Sequence, residues 1–142
     1  DSVAALVNAT ARHAHGKGIK VFLEVDPVST LHPNMFLERA ADVLKQVDYV
    51  VVVTDPFLKT VKSGEFRNFT IVDYRAVLER AVNVVGGGSV LFTVKAMDIV
   101  EGWVTPAIQL QTEVDAFSNV PGVSGYAIYH VNRYLPFRLS FN

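Results

Sequence analysis

Four apolar, β-rich runs recur along the chain at intervals of about 30 to 40 residues: "IKVFLEVDP", "YVVVVTDPF", "SVLFTVKAMD" and "SGYAIYHVN". Each is too continuously apolar to keep one face in water, which is the pattern of parallel strands covered on both sides. Segments of helical periodicity lie between them, so the chain reads α-β-α-β-α-β-α-β, the alternation of βα units around a parallel sheet. Its 142 residues are expected to form one α/β domain, 1–142, of four αβ units, long enough to bury a core without metals or disulfides.

The helical segments carry readable faces and edges. In "LHPNMFLERAADVLKQVD" Phe36, Ala40, Val43, Leu44 and Val47 share one stripe, with Glu38, Arg39, Asp42, Lys45 and Gln46 opposite. "DYRAVLERAVNVVGGG" is predicted to start with Asp73 as N-cap, to pack Val77, Leu78, Ala81, Val84 and Val85, and to stop at the glycines. "TPAIQLQTEVDAFSNVPG" pairs Thr105 as N-cap with Pro106 at the first helical position and packs Ala107, Leu110, Val114 and Phe117. Ser2 to His15 supplies a fourth helix through Val3, Leu6, Val7 and Ala11.

Four such strands make either half of a TIM (β/α)8 barrel, completed by more of the same protein or by a second copy, or a small open doubly wound sheet. Two strand ends favour the barrel. "VDP" at 25–27 and "TDP" at 54–56 each place an aspartate before a proline, which holds that aspartate extended at the strand's C-terminal mouth. Barrel active sites sit at that mouth.

Alternation along each strand sorts side chains into helix-facing and lumen-facing sets. On the first strand Val21, Leu23 and Val25 suit the helices, leaving Phe22, Glu24 and Asp26 for the lumen. The second strand sends Val51, Val53 and Asp55 inward, and the third Leu91, Thr93, Lys95, Met97, Ile99 and Glu101, with Phe92, Val94 and Ala96 outward. On the fourth, Ala127, Tyr129 and Val131 are assigned outward and Ile128, His130 and Asn132 inward. The lumen set thus gathers Glu24, Asp26, Asp55, Lys95, Glu101, His130 and Asn132. Charges converging in a partly desolvated mouth shift one another's pKa values, as acid-base chemistry requires. The structural alternative is that Lys95 pairs with Glu24 or Asp26 simply to fill the lumen.

Other features fall to plainer readings. Gly86-Gly87-Gly88 closes a helix and enters a strand, the reverse of a phosphate loop, and reads as a cap and turn. His13 and His15 point to different faces of their helix and read as a solvated helix end. His32, before Pro33, flanks a helix start. Trp103 lies just past the third strand, where a flat apolar face could stack on a sugar; Tyr126, Tyr129 and Tyr134 divide between helix packing and lumen.

A net charge of −1 without a basic stripe argues against nucleic acid, and no apolar run reaches the roughly 18 residues that a membrane span needs. Zero cysteines exclude disulfides and thiolate metal sites, and no cofactor is expected. A chain beginning with Asp1 points to a processed protein or a piece of a longer one. The sequons at Asn8 and Asn68 would permit N-glycans in an extracellular or cell-surface protein.

"VDYVVVVTDPF" resembles the sixth-strand region of chitinase-like glycoside hydrolases, and "DIVEGWVTP" the seventh-strand end of other retaining glycosidase barrels; "GVSGYAIYHVNRY" is similar to the last strand of many such barrels. The resemblance implies the C-terminal half of a glycosidase barrel acting on carbohydrate. It makes Glu101 the nucleophile, Trp103 a sugar platform, and Asp55 and His130 positioning or pKa-tuning groups, with Glu24, Asp26 and Asn132 left for substrate. The family's acid/base carboxylate belongs to the fourth strand and is expected outside this chain, since the family's run of spaced aspartates ending in glutamate is missing. A carboxylate separation of about 5 Å would indicate retention, and about 6.5 to 9.5 Å inversion. Two alternatives stand beside it: a non-catalytic surface or structural barrel in a larger assembly, and a Schiff-base lyase using Lys95.

Overall fold

The computed structural model describes residues 2–25, 37–54, 59–62, 65–68, 70–96 and 104–129. Helix α1 (Ser2–Gly16) leads into β1 (Phe22–Val25), and the short α2 (Ala41–Leu44) into β2 (Tyr49–Val53). A hairpin of β3 (Lys59–Lys62) and β4 (Glu65–Asn68) follows, before α3 (Ile71–Val85), β5 (Val90–Lys95), α4 (Ala107–Ser118) and β6 (Val123–Tyr129). The chain is α/β: β1, β2, β5 and β6 form one sheet in that order, every pair parallel and every neighbour separated by a helical crossover. Strand order follows chain order throughout, as in a segment of a barrel. Four strands on one side of the switch point of an open doubly wound sheet have the same order.

One core holds the helices to the sheet. Val25, Val50, Val52, Val90, Phe92 and Val94 meet Leu44 of α2, Val77, Leu78 and Ala81 of α3 and Phe117 of α4, while Val7 brings α1 to the same cluster. All four helices therefore cover the same face. Register puts Phe22, Glu24, Tyr49, Val51, Val53, Leu91, Thr93 and Lys95 on the other face, and Phe22 stacks on Tyr49 there at 4.9 Å.

Four local expectations are corrected. Helix α3 starts three residues early, because Thr70 is the N-cap and Asp73 the third member of a capping box. Helix α4 takes Pro106 as its N-cap residue without a side-chain cap, since the Thr105 hydroxyl donates to the Lys95 carbonyl instead, at 2.7 Å. The β3–β4 hairpin occupies a stretch read as a connection; Ser63-Gly64 between alternating "KTVK" and "EFRN" was its signal.

The fourth correction concerns β6. Its pairing with β5 shifts between Val90 and Leu91, so that Phe92 lies beside Tyr126, Thr93 beside Ala127, Val94 beside Ile128 and Lys95 beside Tyr129. Tyr126 stacks on core residue Phe92 at 5.6 Å. Ile128 thus belongs to the helix face, and the positions of Ala127 and Tyr129 to the open one, the reverse of the assignment from alternation. A one-residue slip exchanges every side chain between faces.

The sheet's N-terminal edge is tied by Asp48. Its carboxylate accepts from the Val21 N–H and pairs with His15 Nε2, both at 2.7 Å, so His15 has a specific partner where a merely solvated helix end was expected. The Val21 N–H first, then His15, hold the Asp48 pKa below its ordinary 3.8. A depressed folded-state pKa contributes stability above the unfolded value and loses it as the carboxylate is protonated. The melting-temperature gap between wild type and Asp48→Asn is therefore expected to be full near neutrality and to close as the pH falls through and below the ordinary aspartate value of 3.8. A gap independent of pH would refute this role.

Candidate functional site

The two edges of the sheet differ in what joins them. Helices return to strands at the N-terminal edge through short turns at 17–21, 45–48, 86–89 and 119–122, whereas more residues, 26–40, 54–70 and 96–106, separate each strand's C-terminal end from the next helix. Long connections on a rigid strand edge are where a barrel builds its site.

Lys95 ends β5 at this edge, half-buried on the open face, beside the position of Tyr129. Two threonines fasten the surrounding backbone. Thr54, buried at the end of β2, donates through both its N–H (3.0 Å) and its hydroxyl (2.7 Å) to the Thr93 carbonyl. Thr105 donates through its N–H to the Ala96 carbonyl at 2.8 Å and through its hydroxyl to the Lys95 carbonyl. The Thr105–Ala96 bond thus joins the two described residues nearest either side of 97–103 but for Val104. Thr93, two positions before Lys95 on the same face, is only 3% exposed, and its hydroxyl has no hydrogen-bond partner among the described residues. An unsatisfied buried hydroxyl is costly, so that face offers a polar group to a ligand or water.

Glu24 shares the open face but not the height of Lys95. It lies level with Val51, which lies level with Leu91, two same-face positions below Lys95. That is about 13 Å along the strands and about 10 Å across them, too far for the direct Lys95–Glu24 pair entertained from sequence. Glu24 is exposed. Of the remaining candidates, Asp26, Asp55, Glu101, Trp103, His130 and Asn132 lie outside the described residues.

Two residues escaped the sequence reading. Thr93 was placed on the correct face without its burial being foreseen. Glu113 is 2% exposed on α4, one helical turn from Phe117, and the signal was its place in the Leu110, Val114 and Phe117 stripe, where a polar face was not expected. Among the described residues no three His, Cys, Asp or Glu side chains gather as a metal site, and no helix is long and apolar enough to cross a membrane. No family model matches the chain, and no curated protein matches it.

Proposed function

We propose that this chain is half of a (β/α)8 barrel that binds and hydrolyses carbohydrate at the C-terminal mouth of its sheet. The carrying observation is the sequential parallel order β1-β2-β5-β6 with all helices on one face. That arrangement leaves a second face with Thr93 and Lys95 to line a lumen and two edge strands to be continued. Glu101 acts as nucleophile in the stretch anchored by Thr105, Trp103 carries the sugar ring, Asp55 orients the nucleophile, and Glu24, Asp26 and Lys95 contact substrate; the parity that assigned His130 and Asn132 to the lumen is the one that takes Ile128 to the helix face. The acid/base carboxylate comes from the other half. N-glycans at Asn8, exposed on α1, and Asn68 would fit an extracellular setting.

The test uses the complete barrel with aryl glycosides. Glu101→Gln is expected to lower turnover by about 10²-fold or more, and a fluorinated glycoside should label Glu101 covalently, as read by peptide mass spectrometry. Undiminished turnover in the variant, or a label elsewhere, sinks the assignment. A Schiff-base lyase is the second reading, favoured by the half-buried place of Lys95 on the lumen face. Borohydride with a carbonyl substrate would then add mass to Lys95.

A further inference from the structure

Resting on the half-barrel reading, we propose that the groove between α4 and β6 seats helix α1 of a second copy, so that two copies close one eight-stranded barrel around a shared mouth. The groove has a volume of about 270 Å³ and is lined by Ala96, Ala107, Leu110, Val114, Tyr126 and Ile128. Tyr126 and Ile128 are 50% and 41% exposed there. Small residues at Ala96 and Ala107 leave the hollow that a neighbouring helix would fill.

The matching projection is on the opposite flank of the same chain. Helix α1 turns Ala11 and Val7 towards the core and Asn8, Arg12 and His15 towards Gln46 beyond α2. Helical spacing then puts Val3, Leu6 and Thr10 on the flank away from α2, where Val3 and Leu6 are 65% and 67% exposed. Heights agree: α1 and α4 both start at the C-terminal edge of the sheet, so Val3 and Leu6 stand level with Ala107 and Ile128. Charge agrees as well. Helix α1 contains no acidic residue and is followed by the exposed Lys17, whereas α4 presents the exposed Asp115 and has no basic residue. Lys17 and Asp115 both lie near the C-terminal ends of their helices, at the same height. Closing the ring pairs β6 of each copy with β1 of the other, and four strands from each give the eight of a closed barrel. Each copy then brings its own Lys95 to one mouth, and the acid/base carboxylate of one site comes from the other copy.

Light scattering on the purified chain is expected to give twice the 15.6 kDa chain mass at micromolar concentration. Leu6→Glu and Ile128→Glu should each yield monomers, while Ile108→Glu, on the solvent side of α4, stays dimeric. Mixing the Leu6→Glu and Ile128→Glu monomers should restore dimers, because that pair retains one interface with both native surfaces; this rescue also shows that both variants fold. A monomeric wild type, an open-ended polymer, or no rescue on mixing overturns the proposal. A monomer that still cleaves aryl glycosides overturns the docking alone, and a dimer without turnover overturns the carbohydrate reading alone.

Discussion

Phe117→Ala is expected to remove about 3–5 kcal/mol of stability. The Phe117 ring is fully buried and meets Phe92 edge-on at 5.4 Å and Tyr74 edge-on at 6.1 Å, so it joins α4 to both the sheet and α3. Its deletion loses the transfer free energy of the ring and leaves a cavity between three elements that cannot all collapse. Edge-to-face geometry adds about 0.5–1.5 kcal/mol per aromatic pair beyond the area term. Against a total stability of about 5–15 kcal/mol, this brings the domain close to unfolding at room temperature. Urea denaturation measures it, with Phe22→Ala as the comparison. Phe22 also stacks on an aromatic ring, but it is 55% exposed on the open face and should cost under about 1 kcal/mol. Equal losses would mean that the helix-covered face is not the main core.

The second large effect is expected at Gly122. Its backbone is left-handed, with φ +90°, and a Cβ there would lie 2.6 Å from Val82 Cγ1 and 3.2 Å from Gly87 Cα. The turn is tight because the Gly122 carbonyl accepts from the Gly88 N–H at 2.9 Å, joining the α3–β5 turn to the α4–β6 turn. Gly122→Ala therefore incurs about 1–2 kcal/mol for the dihedral and about 1–3 kcal/mol for the overlap. Gly86 separates the two terms: it has φ +98° but open space where its Cβ would stand, so Gly86→Ala incurs only the dihedral part. Val82→Ala in the Gly122→Ala background should return part of the loss by clearing the overlap. If the two glycine variants melt together, or Val82→Ala gives no relief, the close approach is not what makes Gly122 necessary.

Where reading from the residues fell short, the cause was a competition that only packing resolves. The helix stripe through Val77, Leu78 and Ala81 was visible, yet Tyr74, fully buried, was missed because the helix was started at Asp73. With Thr70 as N-cap, Tyr74 enters the stripe one turn before Leu78. Thr105 has the right chemistry for a cap, and its hydroxyl found a better-placed acceptor in the Lys95 carbonyl across the connection. On β1, β2 and β5 the observed faces match alternation. Strand β6 differs because "GYAIY" is apolar at both parities, so nothing local marks which residues face the helices.

The candidate site shows the same division. Lys95 and Glu24 stood out as charges on apolar strands, and both do lie on the face without helices. Their difference in height comes from register between strands. Register is a relation among segments distant in sequence, and no single segment encodes it.

The sequence by itself determined the parallel α/β alternation, the four strands of the main sheet and the stripe of α3 through Val77, Leu78 and Ala81, because periodicity and continuous hydrophobicity act within a few residues; the stripe expected on α1 held only at Val7 and Ala11, since Val3 and Leu6 are exposed. Tertiary structure alone decided the inverted face of β6, the gap between Glu24 and Lys95, and the burial of Thr93 and Glu113. Those depend on which strands pair, at what register and under which helix, and such contacts are chosen by the free energy of the whole core.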